Sequence, residues 1–190
     1  MHEVIETNRL VLRPLKETDS GAFAALVNDW DICRMTGSFP YPFPKPSVDG
    51  LIDIFLARAA TGKAIHWAIT RNGIFMGAAG FYETSQGRGL GYWLGRSYWG
   101  HGFATEVVKG LADHMAKHEP NAVLMAEVFT DNPASRRVLE RAGFQRLDAT
   151  SKGHSLARGE TVPCWKFAFQ TRKSRDDIAE LRKVEEVCDA

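Results

Sequence analysis

Residues 98–106 read YWGHGFATE, and two glycines there flank one histidine just ahead of a helix-compatible run. The first amides of a helix lack internal partners and carry the positive end of the helix dipole. A glycine loop in front of them lets an anion come close, and a phosphate is the natural guest. A plain turn, glycine-rich for backbone reasons, is the alternative that the spacing leaves open. The stretch is not a dinucleotide fingerprint, because Thr105 stands where the third glycine would be. It is not a P-loop either, because no Gly-Lys-Ser/Thr follows.

Other residue types with chemical potential are quickly weighed. His114 and His118 are four apart on one predicted helix, the spacing of a metal pair. No third ligand accompanies them in the sequence, and cationic side chains are favourable near a helix C-terminus, so no metal site is expected. Cys33, Cys164 and Cys188 are far apart and form no CxxC, which argues against a disulfide framework or a zinc cluster. Asp29 and Asp31 border a proline-rich stretch, TGSFPYPFPKPS, where they can meet a cationic amine.

These residues need elements to hold them. RLVLRPL (9–15) alternates as a strand, and Asp19 can cap a helix carrying Phe23, Leu26, Val27 and Trp30. Four prolines in residues 36–47 forbid a regular element, leaving either a loop packed on its own rings or one wall of a substrate cleft. Ser47 starts a second helix. HWAIT (66–70) and FMGAAGFYE (75–83) are strands joined at the hairpin signal Asn72-Gly73, and GLGYWLG (89–95) is a third. A helix fits 102–118, with Phe103, Val107, Val108, Leu111 and Met115 on one face. AVLMAEVF (122–129) is a buried strand, and a helix from Pro133 to Ala142 ends at Gly143. Residues 144–149 and 164–169 are the last two strands, with SKGHSLARGE between them as a polar loop or hairpin tip. The tail, 173–190, is dense in alternating charge and reads as an exposed helix or a disordered segment. The class is mixed α/β, with one domain over 1–172.

Residues 132–144 read NPASRRVLERAGF. Asn132 can cap that helix, and Ser135 in its first turn can bond nearby backbone. Together with GYWLGRSYWGHGFATE (91–106), this stretch closely resembles the GNAT superfamily of acyl-CoA-dependent N-acetyltransferases, nearest the RimJ/RimL-type branch, which acetylates ribosomal-protein N-termini and other amines. The resemblance covers about residues 7–170, including NRLVLRPLKETD and NDWDICR…PYPF. It implies a mixed, mostly antiparallel sheet of about seven strands flanked by helices. It implies that Trp99, Gly100, His101, Gly102, Phe103, Ala104 and Thr105 hold the pyrophosphate of acetyl-CoA through backbone amides. Trp93, Leu94 and Gly95 would bond the pantetheine arm like an added strand, with an amide near Leu94 facing the thioester carbonyl. Asn132 would also contact pantetheine, and Ser135 would protonate the CoA thiolate. Ser97 replaces the family's usual Gln or Arg, a small change where the contact is mostly backbone. Leu139 stands where many relatives carry a tyrosine acid, and Gly89 where RimJ/RimL-type chains often carry a carboxylate. Glu83, at the end of the preceding strand, is the substitute candidate for the base, while Glu127 reads as a surface residue.

The rest of the chain agrees with a cytoplasmic enzyme. Among 190 residues, 24 are Lys or Arg and 23 are acids, which gives no electrostatic case for nucleic acid or an anionic membrane. No signal peptide and no apolar stretch near the roughly 20 residues that span a bilayer is evident. The expected activity is acetyl transfer from acetyl-CoA to a primary amine, a protein N-terminus or a small molecule, by a monomer or homodimer. The rival reading is a catalytically silent acyl-CoA-binding or sensing module, separated from the enzyme by turnover with an amine panel.

Overall fold

The computed structural model describes residues 3–171. The chain runs β1 (Ile5–Glu6), β2 (Val11–Pro14), α1 (Ser20–Val27), α2 (Trp30–Cys33), α3 (Lys45–Ala60), β3 (Ala64–Arg71), β4 (Ile74–Thr84), β5 (Gly87–Leu94), α4 (Phe103–His118), β6 (Val123–Phe129), α5 (Pro133–Ala142), β7 (Gln145–Ser155) and β8 (Glu160–Gln170). The strands form one eight-stranded sheet in the order β1-β2-β3-β4-β5-β6-β8-β7. Only β5 and β6 are parallel neighbours; every other pair is antiparallel. Asn72 and Gly73 both take positive φ, 51° and 78°, as a two-residue hairpin with the right twist requires.

The two faces of the sheet bury separate cores. On one side Leu111, Val107 and Met115 of α4 and Leu139 of α5 pack against Trp67, Phe81, Leu90 and Leu94. On the other, Phe23 of α1 and Ile52 of α3 pack against Phe75 and Trp93. Alternate residues of β5 therefore serve opposite cores, as a strand requires.

The structure differs from the sequence-based expectation at several points. The eighth strand is β1, only two residues long and too short for an alternating pattern to show. The first expected helix stops at Val27, and Asp29 caps a separate short α2 by accepting from the Asp31 amide at 2.8 Å. Asn28 is drawn away to accept from the Phe43 amide at 2.9 Å. Helix α3 starts at Lys45 rather than Ser47, since Pro46 fits a first helical turn. SKGHS belongs to β7, so the tip shrinks to residues 156–159. That strand is polar on most positions and pairs on one side only, leaving little apolar alternation to announce it. In the proline-rich loop, Phe39 and Phe43 are buried in the second core with ring centroids 5.3 Å apart. Tyr41 stays exposed and packs edge-on against Trp30. The expected charged tail, with Cys188, lies outside the described residues.

Candidate active site

The sheet opens at its centre. Strands β5 and β6 pair only through Arg88 with Leu124 and Gly89 with Met125; beyond these residues they part. Gly77 is the register partner of Leu94, and the Gly95 amide donates to the Met76 carbonyl at 2.9 Å. Antiparallel ladders alternate, so this bond makes Leu94 a non-bonded position toward β4. Its N–H and C=O therefore face the opening beside β6. The carbonyl already accepts from Trp99 Nε1 at 2.8 Å, which ties the following loop to the strand. Of Trp93, Leu94 and Gly95, Leu94 alone turns its backbone to the opening. Gly95 spends its amide on Met76, and Trp93 falls on a ladder-bonded position with its ring in the core against Phe23 at 4.7 Å.

The glycine loop lies at the end of β5. Gly100 and Gly102 have φ of +80° and +79°, a conformation that L side chains avoid, and Gly102 caps α4. The α4 dipole thus ends on an exposed, glycine-lined turn. Phe103 is buried beneath it, Ala104 packs against the same core, and Thr105 is half-buried. His101 is exposed, and its carbonyl accepts from Arg9 Nη1 at 3.1 Å. Arg9 also stacks over the Phe103 ring at 4.5 Å and pairs with Glu106 at 2.7 Å. Burial works to raise the Glu106 carboxyl's pKa, but hydrogen bonds from Thr7 and from the Arg9 amide and guanidinium outweigh it and hold the group below its ordinary value.

On the far side of the opening, α5 follows β6. Asn132 accepts from the Ser135 amide at 3.0 Å, capping the helix. Gly143, at φ +94°, ends it. The Ser135 hydroxyl reaches across to β5, where Tyr92 Oη lies 2.8 Å from Ser135 Oγ. Burial pushes the Tyr92 phenol well above its ordinary pKa, and the Ser135 bond offsets this only in part. Tyr92 therefore keeps its phenol proton at neutral pH. Reasoning from sequence missed this residue. The signal was its place two positions before Leu94 on the same strand face.

Of the acidic sequence candidates, Glu83 lies away from the Leu94 end of the opening, and Asp29 and Asp31 are engaged in ion pairs. Glu83 is exposed and sits opposite Arg88, six positions along β4 from Gly77, which is roughly 20 Å of strand. At Gly89 a Cβ would lie 2.2 Å from the Tyr82 ring, so tyrosine fills the space a carboxylate would need. Asp31 is taken up by Arg34 at 3.0 Å and Arg96 at 2.5 Å, and Asp29 by its cap and by Arg96 at 3.8 Å. Glu127 is exposed and accepts from Ser151 at 2.9 Å. A groove of about 860 Å³ runs along α4 against residues 3–9; it reaches Gly102 and Thr105 but is not lined by Ser135.

This arrangement has a family. The acetyltransferase (GNAT) domain matches residues 9–145, and the chain belongs to that family of acetyltransferases. It is 29% identical over 151 residues to an uncharacterized N-acetyltransferase, YoaA, of Bacillus subtilis strain 168, covering 77% of this chain and 85% of the relative. A second relative, the uncharacterized N-acetyltransferase p20 of Bacillus licheniformis, is 25% identical over 176 residues, covering 90% of this chain and 98% of its own. Among solved structures, RimL, a ribosomal L7/L12 alpha-N-protein acetyltransferase in complex with coenzyme A, superposes with a TM-score of 0.79 at 21% identity, over 88% of this chain and 98% of that one. Mycobacterium smegmatis RimJ, in complex with CoA-disulfide, gives 0.78 at 20% identity, over 89% and 88%. No helix among the described residues is long and apolar enough to cross a membrane.

Proposed function

We propose that the chain moves acetyl from acetyl-CoA to a primary amine by direct attack across the opening between β5 and β6. The observation that carries this is the Tyr92–Ser135 hydrogen bond at 2.8 Å beside the outward-facing Leu94 backbone. The pyrophosphate would rest on the amides from Trp99 to Thr105, where the α4 dipole and the two left-handed glycines favour an anion. Pantetheine would lie in the opening against Leu94, with Asn132 as a further contact.

The chemistry then follows from position. A neutral amine attacks the thioester carbon, and charge grows on the carbonyl oxygen. The fixed Leu94 N–H is placed to stabilise that oxygen. As the carbon–sulfur bond breaks, sulfur takes the electron pair and needs a proton. Tyr92 Oη and Ser135 Oγ share one hydrogen bond, and with the phenol as its donor the serine's own hydrogen is free for sulfur. The proton lost by the attacking amine restores the pair, and the products are the acetylated amine and CoA thiol. Glu83 is too distant to act as the base. Water in the opening is the relay we assign to carry this proton from the amine to Ser135.

The acceptor is a protein N-terminus or a small amine. The RimL relative is named for a ribosomal protein's alpha-amine, while a microcin self-immunity acetyltransferase, 15% identical, was solved with acetyl-CoA and AMP. Residues 1–172 form the transferase unit in this reading, supported by β8, which completes the sheet up to Gln170. The test is acetyl-CoA turnover against a panel of peptides and small amines. We expect CoA release that depends on one amine class. Tight acetyl-CoA binding with no transfer to any acceptor would instead make the protein a silent acyl-CoA-binding module.

A further inference from the structure

The far end of α4 holds a cluster that acetyl transfer does not use. His114 and His118 lie one turn apart, with ring centroids at 4.4 Å. His114 is only 8% exposed. The Nε2 atoms of both rings are buried and lack a hydrogen-bond partner. Such orphaned nitrogens are uncommon in folded proteins and point to a missing ligand.

A third group arrives from the opposite end of the chain, which no spacing within the helix could have revealed. Glu3 Oε2 lies 3.3 Å from His118 Nε2, though without hydrogen-bond geometry. The Glu3 main chain is anchored, since its carbonyl accepts from the indole of fully buried Trp67 at 2.9 Å. One ligand atom from each of Glu3, His114 and His118 lies within 4.8 Å of the other two, and this is the one such group of three or more among the described residues. Zinc bonds of about 2.0–2.1 Å in a tetrahedron space the ligand atoms by about 3.4 Å. The Glu3–His118 pair already has that separation. The Glu3 side chain is exposed and can rotate to close the rest.

We propose that Glu3, His114 and His118 bind a divalent transition metal of the zinc class, with a fourth position left to water. Two imidazoles and a carboxylate match that ion's preferred donors. The ion would staple the segment before β1 to the last turns of α4. Twelve residues separate His114 from Gly102, roughly 18 Å of helix, so the site is structural and distinct from the transfer site.

The test is calorimetric titration of the tag-free full chain with zinc chloride, followed by cobalt(II) substitution. We expect one ion per chain, a rise in melting temperature on adding zinc, and the visible absorption of tetrahedral cobalt. His118→Ala should weaken zinc binding at least about 100-fold, as loss of a direct ligand should exceed the cost of losing an outer partner. Glu3→Gln, which leaves a weaker amide oxygen donor, should weaken it at least about 10-fold while leaving acetyl-CoA affinity unchanged. If His118→Ala fails to fold, the exposed Glu3 variant decides. Absence of stoichiometric zinc in the wild type, or undiminished binding in the folded variants, overturns the site.

Discussion

Ser135 is a weak acid by itself, and in the proposed mechanism its neighbour Tyr92 would orient it. With Tyr92 held protonated by burial, a phenol hydrogen given to Ser135 Oγ would leave the serine hydrogen free for sulfur. Ser135→Ala should lower kcat by about 10- to 1,000-fold, the range for a positioned acid and just below it. Tyr92→Phe should cost about 10-fold, because the serine remains but loses its orientation. Steady-state kinetics with calorimetry checks both: acetyl-CoA affinity should hardly move, since the lost interaction matures in the transition state. A fall in affinity alone would make Ser135 a cofactor contact. The double variant should be less than additive, because the two share one bond. Ser135 was legible in NPAS by resemblance, but Tyr92 was not. The two are 43 residues apart, and their meeting depends on how far β5 and β6 splay.

At the scale of elements, the sequence announced what local physics controls. The Asn72-Gly73 hairpin, α4 with its apolar face and Gly143 at the end of α5 all appear where their residue types demand them. What it hid depends on distant partners: β1 held by α4, the break at Asn28 and the polar β7. The glycine turn makes a sharp prediction. Valine at Gly102 would have to adopt φ +79°, a strain of about 1–2 kcal/mol, and would place a branched side chain where the phosphates approach. Gly102→Val should stay folded and lose at least about 10-fold in acetyl-CoA affinity by calorimetry, which is about 1.4 kcal/mol. Undiminished affinity would move the phosphates away from this loop.

A second prediction at this scale concerns pH. His66 of β3 is stacked on Phe55 of α3 at 3.7 Å, and burial, with the nearby charge of Arg58, lowers its pKa from 6.5 to about 4. The folded form therefore holds the neutral ring, while the unfolded chain protonates first. Stability from this site is complete above about pH 6.5 and is lost as pH falls toward 4, by about 3 kcal/mol in all. Denaturant melts should show that loss in the wild type, and His66→Phe, which cannot titrate, should flatten it. An unchanged slope in the variant would place the acid sensitivity elsewhere.

For the whole molecule, the fold has to hold two half-sites apart. Strand β5 is fixed to β4 and β6 to β8, and each half has its own helix, so the opening between them survives without filling. A ligand bound there should stabilise the native state, and acetyl-CoA at about 100 times its dissociation constant should add roughly 2.7 kcal/mol. A melting shift with acetyl-CoA and none with NAD or ATP is expected; the reverse pattern would contradict the site. The most direct measurement is single-turnover transfer of isotopically labelled acetyl from acetyl-CoA to the acceptor that the amine screen selects, followed by mass spectrometry. We expect one labelled acetyl on the acceptor nitrogen per CoA thiol released, with Ser135→Ala slowed and its acetyl-CoA affinity retained. Saturating acetyl-CoA binding without labelled product, or an unslowed Ser135→Ala chemical step, would contradict the proposed mechanism.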